Sequence, residues 1–181
     1  MIRQLGDTFV LDTDHTTYCF RRLATGQLEH LYYGKKIYIT CEQDADALVE
    51  KHAFAPGNTC IYDKEHPQYS LEDMRLEVSA YGKGDIREPF VEIRHADGGV
   101  TNDFVYDSFE ILEEKTALRT LPSAYDAQGA KELVVTLRDR NYPVVLELHY
   151  SVFAAYDVIV RSAKLKNEGS DPIRLERLMS T

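Results

Sequence analysis

The sequence predicts an all-β chain folded as a sandwich of large antiparallel sheets, with one short helix at most. Three observations point there. The dominant hydrophobic period is two, turn-forming clusters punctuate the chain at short intervals, and a helical pattern is almost absent.

The elements can be justified in order. Residues 8–13 (TFVLDT), 16–23 (TTYCFRRL) and 27–33 (QLEHLYY) are three strand candidates, with Ala24-Thr25-Gly26 as the tight turn between the second and third. A short helix is predicted over 44–52 (DADALVEKH), with Asp44 or Asp46 as its cap. Residues 54–70 carry Pro, Gly and Asn without a period and read as a long surface loop, a kind of segment that often carries function. Residues 89–95 (PFVEIRH) and 100–112 (VTNDFVYDSFEIL) read as a hairpin bent at Asp97-Gly98-Gly99.

In residues 131–140, Leu133, Val135 and Leu137 fall on one face, and Glu132, Thr136 and Arg138 fall on the other with Val134. After Asn141-Tyr142-Pro143, residues 144–153 alternate again, with Leu146, Leu148 and Tyr150 set against Glu147, His149 and Ser151. The short polar connection predicts an antiparallel pair. Residues 157–167 and 173–180 then add a third and a fourth strand around the turn cluster NEGSDP, making a meander of four. The total is about ten strands. Residues 176–181 (ERLMST) stop inside an alternating run, so the chain is expected to continue into a larger protein.

Composition narrows the function classes. The 181 residues are 44% hydrophobic, enough for one real core. With 21 basic and 30 acidic residues the net charge is -9, which repels a phosphate backbone and argues against nucleic acid as a partner. The start has no apolar signal segment, and no run approaches the roughly 18 apolar residues of a membrane helix, so no membrane partner is expected. Three cysteines without a close pair fit a reducing cytoplasm better than a disulfide framework.

The stretch EVSAYGKGDIREP, residues 77–89, concentrates glycines and charges. It is not a phosphate loop, because no Lys-Ser/Thr pair opens a helix and Pro89 blocks helix continuation. The six histidines include no pair at i, i+4 and no zinc-ligand spacing, so no metal or other cofactor is expected. No nucleophile-elbow pattern occurs. Carboxylate groups such as Glu42/Asp44/Asp46 and Asp85/Glu88 are explained by a solvated acidic surface, and no catalytic residue is assigned. Arg161 shares a parity with Ile159, Ala163 and Leu165. It is therefore expected to point partly inward, where it needs a carboxylate or several carbonyl partners, an ion pair between sheets being favoured over a ligand contact.

Taken together, these stretches resemble the N-terminal domain of glycoside hydrolase family 36 α-galactosidases. Residues 16–37 carry a pattern similar to the family's G-x-L-x-H-x-Y-x-G core at Gly26, Leu28, His30, Tyr32 and Gly34. Residues 76–89 resemble its E-x-x-x-Y-G-x-x-D-x-R-x-P pattern at Glu77, Tyr81, Gly82, Asp85, Arg87 and Pro89. HADGGVTNDFVY, LRTLPSAYD, ELVVTLRD, LELHYSVF and DVIVRSAKLKNEG follow in the family's order. The family often has Glu-Tyr-Pro where this chain has Glu77-Val78-Ser79, so no tyrosine contact is carried over there. Residues 40–63 match poorly.

The resemblance implies that residues 1–181 hold all or most of a galactose mutarotase-like β-supersandwich, truncated at its end, with a (β/α)8 barrel and a C-terminal β-domain downstream. The barrel would carry two aspartates for retaining hydrolysis of terminal α-galactosides such as melibiose and raffinose, held about 5–5.5 Å apart across the sugar. It further implies a cytoplasmic enzyme, often a tetramer, in which N-terminal loops approach a neighbour's active-site mouth. Tyr81, Lys83, Asp85 and Arg87, with Lys51 and His52 of the 41–66 loop, are the candidates for substrate-proximal or assembly contacts. Two other readings compete. One is a stand-alone carbohydrate-binding module stacking sugars on tyrosines, of which the chain has twelve and no Trp. The other is a mutarotase-like epimerase using His149 and Glu147.

Overall fold

The computed structural model describes residues 1–49, 60–118, 120–125 and 129–179. Among them ten strands form, and the antiparallel all-β sandwich expected from the sequence is the fold.

The first layer starts with β1 (Ile2–Leu5), β2 (Thr8–Asp12), β3 (Thr16–Arg22) and β4 (Leu28–Lys35), paired in sequence order. The turn at 24–26 closes as expected, with Gly26 N–H donating to Leu23 O at 2.9 Å. β5 (Val91–Arg94) pairs with β10 (Arg174–Leu178). Residues 75–80 join these two groups. His30 N–H donates to Arg75 O at 2.7 Å and Glu77 N–H to Leu28 O at 2.9 Å, while Phe90 N–H donates to Ser79 O at 3.0 Å. The front of the EVSAYGKGDIREP stretch is thus a linking strand, and the layer runs β1-β2-β3-β4-(75–80)-β5-β10.

The second layer is the sheet β6-β7-β8-β9, formed by Phe104–Leu112, Lys131–Asp139, Val144–Phe153 and Val158–Asn167. The predicted alternation holds on its inner face. Leu133, Val135, Leu137, Leu146, Leu148 and Tyr150 are all buried. They meet Phe9, Leu11 and Phe20 of the first layer, with the Phe20 and Tyr150 rings stacked at 5.1 Å. Glu132, expected on the polar face, is also buried, because loop residue Thr116 covers it and donates its N–H at 3.0 Å.

Three expectations are corrected, and one strand was not expected. The bend at 97–99 forms, with His95 N–H donating to Gly99 O at 2.8 Å, but β5 and β6 are not a hairpin. They lie in different layers, because residues 100–103 carry the chain across the sandwich, anchored by buried Asn102 and Asp103. The four-strand meander fails at its last member for the same reason. The turn after β9 packs on Pro143 and hands β10 to the other layer, to pair with β5. The helix α1 spans Glu42–Asp46 rather than starting at Asp44, with Cys41 in the cap position, and residues 50–52 of the predicted segment lie outside the described residues. β1 was not anticipated at all.

α1 has a clear task. Ala45 packs with Val10, Cys19, Leu31 and Ile39 on the outer face of the first layer. This covers β2 on both sides and explains why all five of its residues are buried.

Candidate functional site

The 77–89 stretch divides into a buried half and a surface half. The buried half centres on Glu77, whose side chain is 1% exposed. Its carboxylate accepts from Tyr18 Oη of β3 at 2.7 and 2.8 Å and from Tyr150 Oη of β8 at 2.9 Å. His30 Nδ1 of β4 lies 2.8 Å away, and Arg161 of β9 pairs at 3.2 Å. Four strands from both layers therefore converge on one carboxylate. His30 belongs to the first family-like pattern and Glu77 to the second, so the fold brings the two patterns into contact.

The electrostatics follow from burial and partners. Desolvation pushes the Glu77 carboxyl up, but the His30 hydrogen bond, the Arg161 charge and the Tyr18 hydroxyl together hold it below its ordinary value. Burial and the Glu77 charge raise both tyrosine hydroxyls, so Tyr18 and Tyr150 stay protonated donors. Desolvation lowers Arg161, and the surrounding Tyr150 and Glu77 more than compensate. The inter-sheet ion pair expected of Arg161 is present, and its guanidinium also lies 5.1 Å over the Tyr150 ring.

The surface half is a local clamp. Asp85, with its side chain 1% exposed, takes Arg87 Nε and one guanidinium NH2 at 2.8 Å each, and the Arg87 N–H at 3.1 Å. Arg87 then donates to Met74 O at 2.6 Å and Leu71 O at 2.7 Å, tying the loop to the short 3-10 turn Leu71–Asp73. Gly82 takes φ +104°, and a Cβ there would sit 2.4 Å from Thr101 Oγ1, so both conformation and space demand glycine. Ser79 closes the loop: its Oγ donates to Glu88 O at 3.2 Å and accepts from Phe90 N–H at 2.9 Å. Val78, beside it, joins the core.

Asp85 and Arg87 are thus in contact with each other. Tyr81 is half-exposed. Lys83 leans away, its Nζ 4.4 Å over the Tyr62 ring and 3.4 Å from Tyr62 O. Lys51 and His52 lie outside the described residues.

Sequence reasoning missed the hub at Glu77; the only signal was the inward parity of Arg161, which asked for a carboxylate without naming it. It also missed a second buried network. Asp103 accepts from Gln27 Nε2 and Tyr62 Oη, both at 2.8 Å. Asn102 Nδ2 donates to Asp139 at 2.9 Å and lies 2.9 Å from His95 Nε2. The His149–Glu147 pair of the epimerase reading is 3.7 Å apart, but Glu147 is also engaged by Lys164 and Lys166, and His149 lies 3.5 Å from Glu132. Among the described residues no group of three or more His, Cys, Asp or Glu side chains is arranged to hold a metal ion, and no helix is long and apolar enough to cross a membrane.

Known proteins share this architecture. The sequence profile of the glycosyl hydrolase family 36 N-terminal domain matches residues 26–181. The probable alpha-galactosidase G of Aspergillus terreus is 33% identical over 177 residues, covering 97% of this chain and 22% of that protein. The alpha-galactosidase from Lactobacillus brevis superposes with a TM-score of 0.87 at 33% identity, over 98% of this chain and 24% of that one. A variant of the GH36 alpha-galactosidase AgaA from Geobacillus stearothermophilus, solved in complex with raffinose, superposes with a TM-score of 0.84 at 28% identity, over 96% of this chain and 24% of its own. The chain spans about a fifth of the length of the curated relatives it matches. It belongs to glycosyl hydrolase family 36, as that family's N-terminal domain.

Proposed function

We propose that residues 1–181 are a non-catalytic part of a cytoplasmic α-galactosidase that hydrolyses terminal α-D-galactosides such as melibiose and raffinose with retention. The two catalytic carboxylates are assigned to a barrel downstream of residue 181. This domain supports the barrel, the assembly of a homo-oligomer, a tetramer by family resemblance, and the active-site mouth. Tyr81 and Lys83 on the surface half of the stretch are its contact residues, with Asp85 and Arg87 holding that surface in shape.

The observation that carries this reading is the state of the acids in the family-like stretch. Glu77 and Asp85 are both buried and both committed to arginine and other donors. Neither is placed as a nucleophile or as a proton donor with its partner across a sugar. The test is turnover of an aryl α-galactoside. The 181-residue chain alone is expected to show none, and the polypeptide extended along its natural reading frame is expected to show it. Clear turnover by the pure 181-residue chain overturns the assignment.

A stand-alone carbohydrate-binding module is the second reading, favoured by exposed tyrosines such as Tyr38, Tyr125 and Tyr156. Titration with galactose, melibiose and raffinose separates the two. Binding at millimolar concentration or tighter by the 181-residue chain favours the module.

A further inference from the structure

Three connections border a cavity of about 250 Å³: the bend after β5, the turn between β7 and β8, and the turn after β9. Val144 and Ile173 give it apolar surface. Its polar groups are arranged about a buried histidine, His95, which is 5% exposed.

The groups behind His95 fix its tautomer. The Asp139 carboxylate accepts from Asn141 N–H at 2.8 Å, Tyr142 N–H at 3.0 Å, Asp103 N–H at 2.9 Å and Asn102 Nδ2 at 2.9 Å. A carboxylate held by such donors only accepts, so the part of the Asn102 amide that faces it is the nitrogen. The same nitrogen lies 2.9 Å from His95 Nε2 and turns its second N–H there. Nε2 is therefore an acceptor, and the imidazole proton sits on Nδ1. Nδ1 has no partner among the described residues, yet it is not one of the polar atoms sealed from solvent without a partner. Because His95 lines the cavity, this leaves its Nδ1–H as a donor open to it.

Acceptors complete the lining. Tyr142 stacks on His95, with ring centroids 3.4 Å apart and planes within 5°, and its hydroxyl donates to Asp97 Oδ2 at 3.1 Å. Asp97 also accepts from Gly99 N–H at 2.8 Å and keeps lone pairs to spare. The Asp171 carboxylate has no partner among the described residues, although its main-chain oxygen is held by Asn167. No lysine or arginine is among the lining residues.

This pattern selects a ligand class. An anion would meet two carboxylates and no cation. An ammonium group offers nothing for His95 Nδ1–H to donate to. A hydroxyl group both donates and accepts, so it satisfies both walls. We propose that this cavity binds one neutral hydroxylated ring, a single sugar unit or cyclic polyol. His95 donates to it, Asp97 and Asp171 accept from it, and Tyr142, Val144 and Ile173 cover its C–H surface. The volume suits a ligand just below the drug-sized range of about 300–1,000 Å³. The site goes beyond the downstream placement of catalysis, and it uses none of the exposed tyrosines of the module reading. With three polar side chains engaged, its Kd is expected at about 10–100 mM, weaker than the binding expected of a module.

The test is saturation-transfer NMR on the natural polypeptide, with methyl β-D-glucopyranoside, methyl α-D-mannopyranoside and myo-inositol as probes. None is an α-galactoside, so hydrolysis does not consume them. Transfer to at least one is expected. Asp171→Ala removes a carboxylate that holds nothing in the fold, and is expected to weaken binding about 3-fold or more. His95→Phe keeps an aromatic ring on Tyr142, removes the donor, and is expected to abolish transfer. Tyr38→Ala and Tyr125→Ala are expected to leave it unchanged. No transfer to any of the three probes overturns the inference, and so does transfer that survives both cavity variants. Transfer lost in Tyr38→Ala or Tyr125→Ala instead overturns it in favour of the module. Turnover of an aryl α-galactoside is read separately, so the domain reading and this site can fail independently.

Discussion

Glu77 and Asp85 lie eight positions apart in one short stretch, are equally buried at 5% exposure, and each pairs with an arginine. They nevertheless do different work. The partners of Glu77 come from β3, β4, β8 and β9, 47 to 84 residues away in sequence. The main partner of Asp85 is two residues away. Glu77 therefore joins the two layers of the sandwich, whereas Asp85 fixes the shape of one loop. A buried charge held by distant elements is a tertiary tie, and one held by a near neighbour is a local brace.

The largest expected effect follows from breaking the tie. Glu77→Ala removes the acceptor of two buried tyrosine hydroxyls and the counter-charge of Arg161, which keeps only the main-chain carbonyl of residue 77, and is expected to cost about 3–5 kcal/mol, read as a fall in the denaturant midpoint. A loss no larger than that of Asp85→Ala would dissolve the distinction between the two sites.

Acid probes the buried carboxylates that tie distant elements together. Glu77 titrates below its ordinary value in the folded chain, and Glu132 falls from 4.5 to about 2, where the His149 and Thr116 hydrogen bonds outweigh the desolvation that opposes them. A depressed carboxyl contributes stability that is complete above its unfolded value and is lost as pH falls through the folded one. Stability is thus expected to decline as pH drops from 4.5 toward about 2, and Glu132→Gln is expected to flatten that decline. An unchanged slope in the variant would remove Glu132 from the account.

Asp85→Ala is expected to cost about 1–3 kcal/mol, because Arg87 keeps its two carbonyl acceptors. In the longer enzyme it is expected to weaken melting or assembly more than the chemical step. Normal melting and assembly with a collapsed kcat would show that the clamp has a catalytic task instead. The smallest effect belongs to Tyr81→Ala, within about 0.5 kcal/mol on stability, since the ring is half-exposed. If Tyr81 is a contact residue, the same variant shifts KM or oligomeric state in the longer enzyme while its melting is unchanged.

The sequence by itself determined the local quantities. Alternation fixed which side chains of residues 133–150 face the core between the layers, because side-chain direction along a strand has a period of two whatever the partner. Turn chemistry fixed the bends at 24–26, 97–99 and 141–143. The parity of Arg161 turned it inward, toward a carboxylate or carbonyl partners. Even β1 left a signal, Gly6-Asp7 between Ile2–Leu5 and Thr8–Asp12, of the kind that closes a hairpin.

Only the tertiary structure decided which strands share a sheet. Residues 100–103 read as the start of a hairpin strand and 168–173 as a hairpin turn, but both cross between layers, and periodicity carries no label for the layer. Likewise, nothing near Glu77 in sequence names Tyr18, His30, Tyr150 or Arg161. The stretch that concentrates charges and glycines, residues 77–89, is a linking strand, an inter-layer tie and a loop clamp. Long-range pairing assigned those parts, because it depends on which distant faces meet in the core and not on the residues alongside.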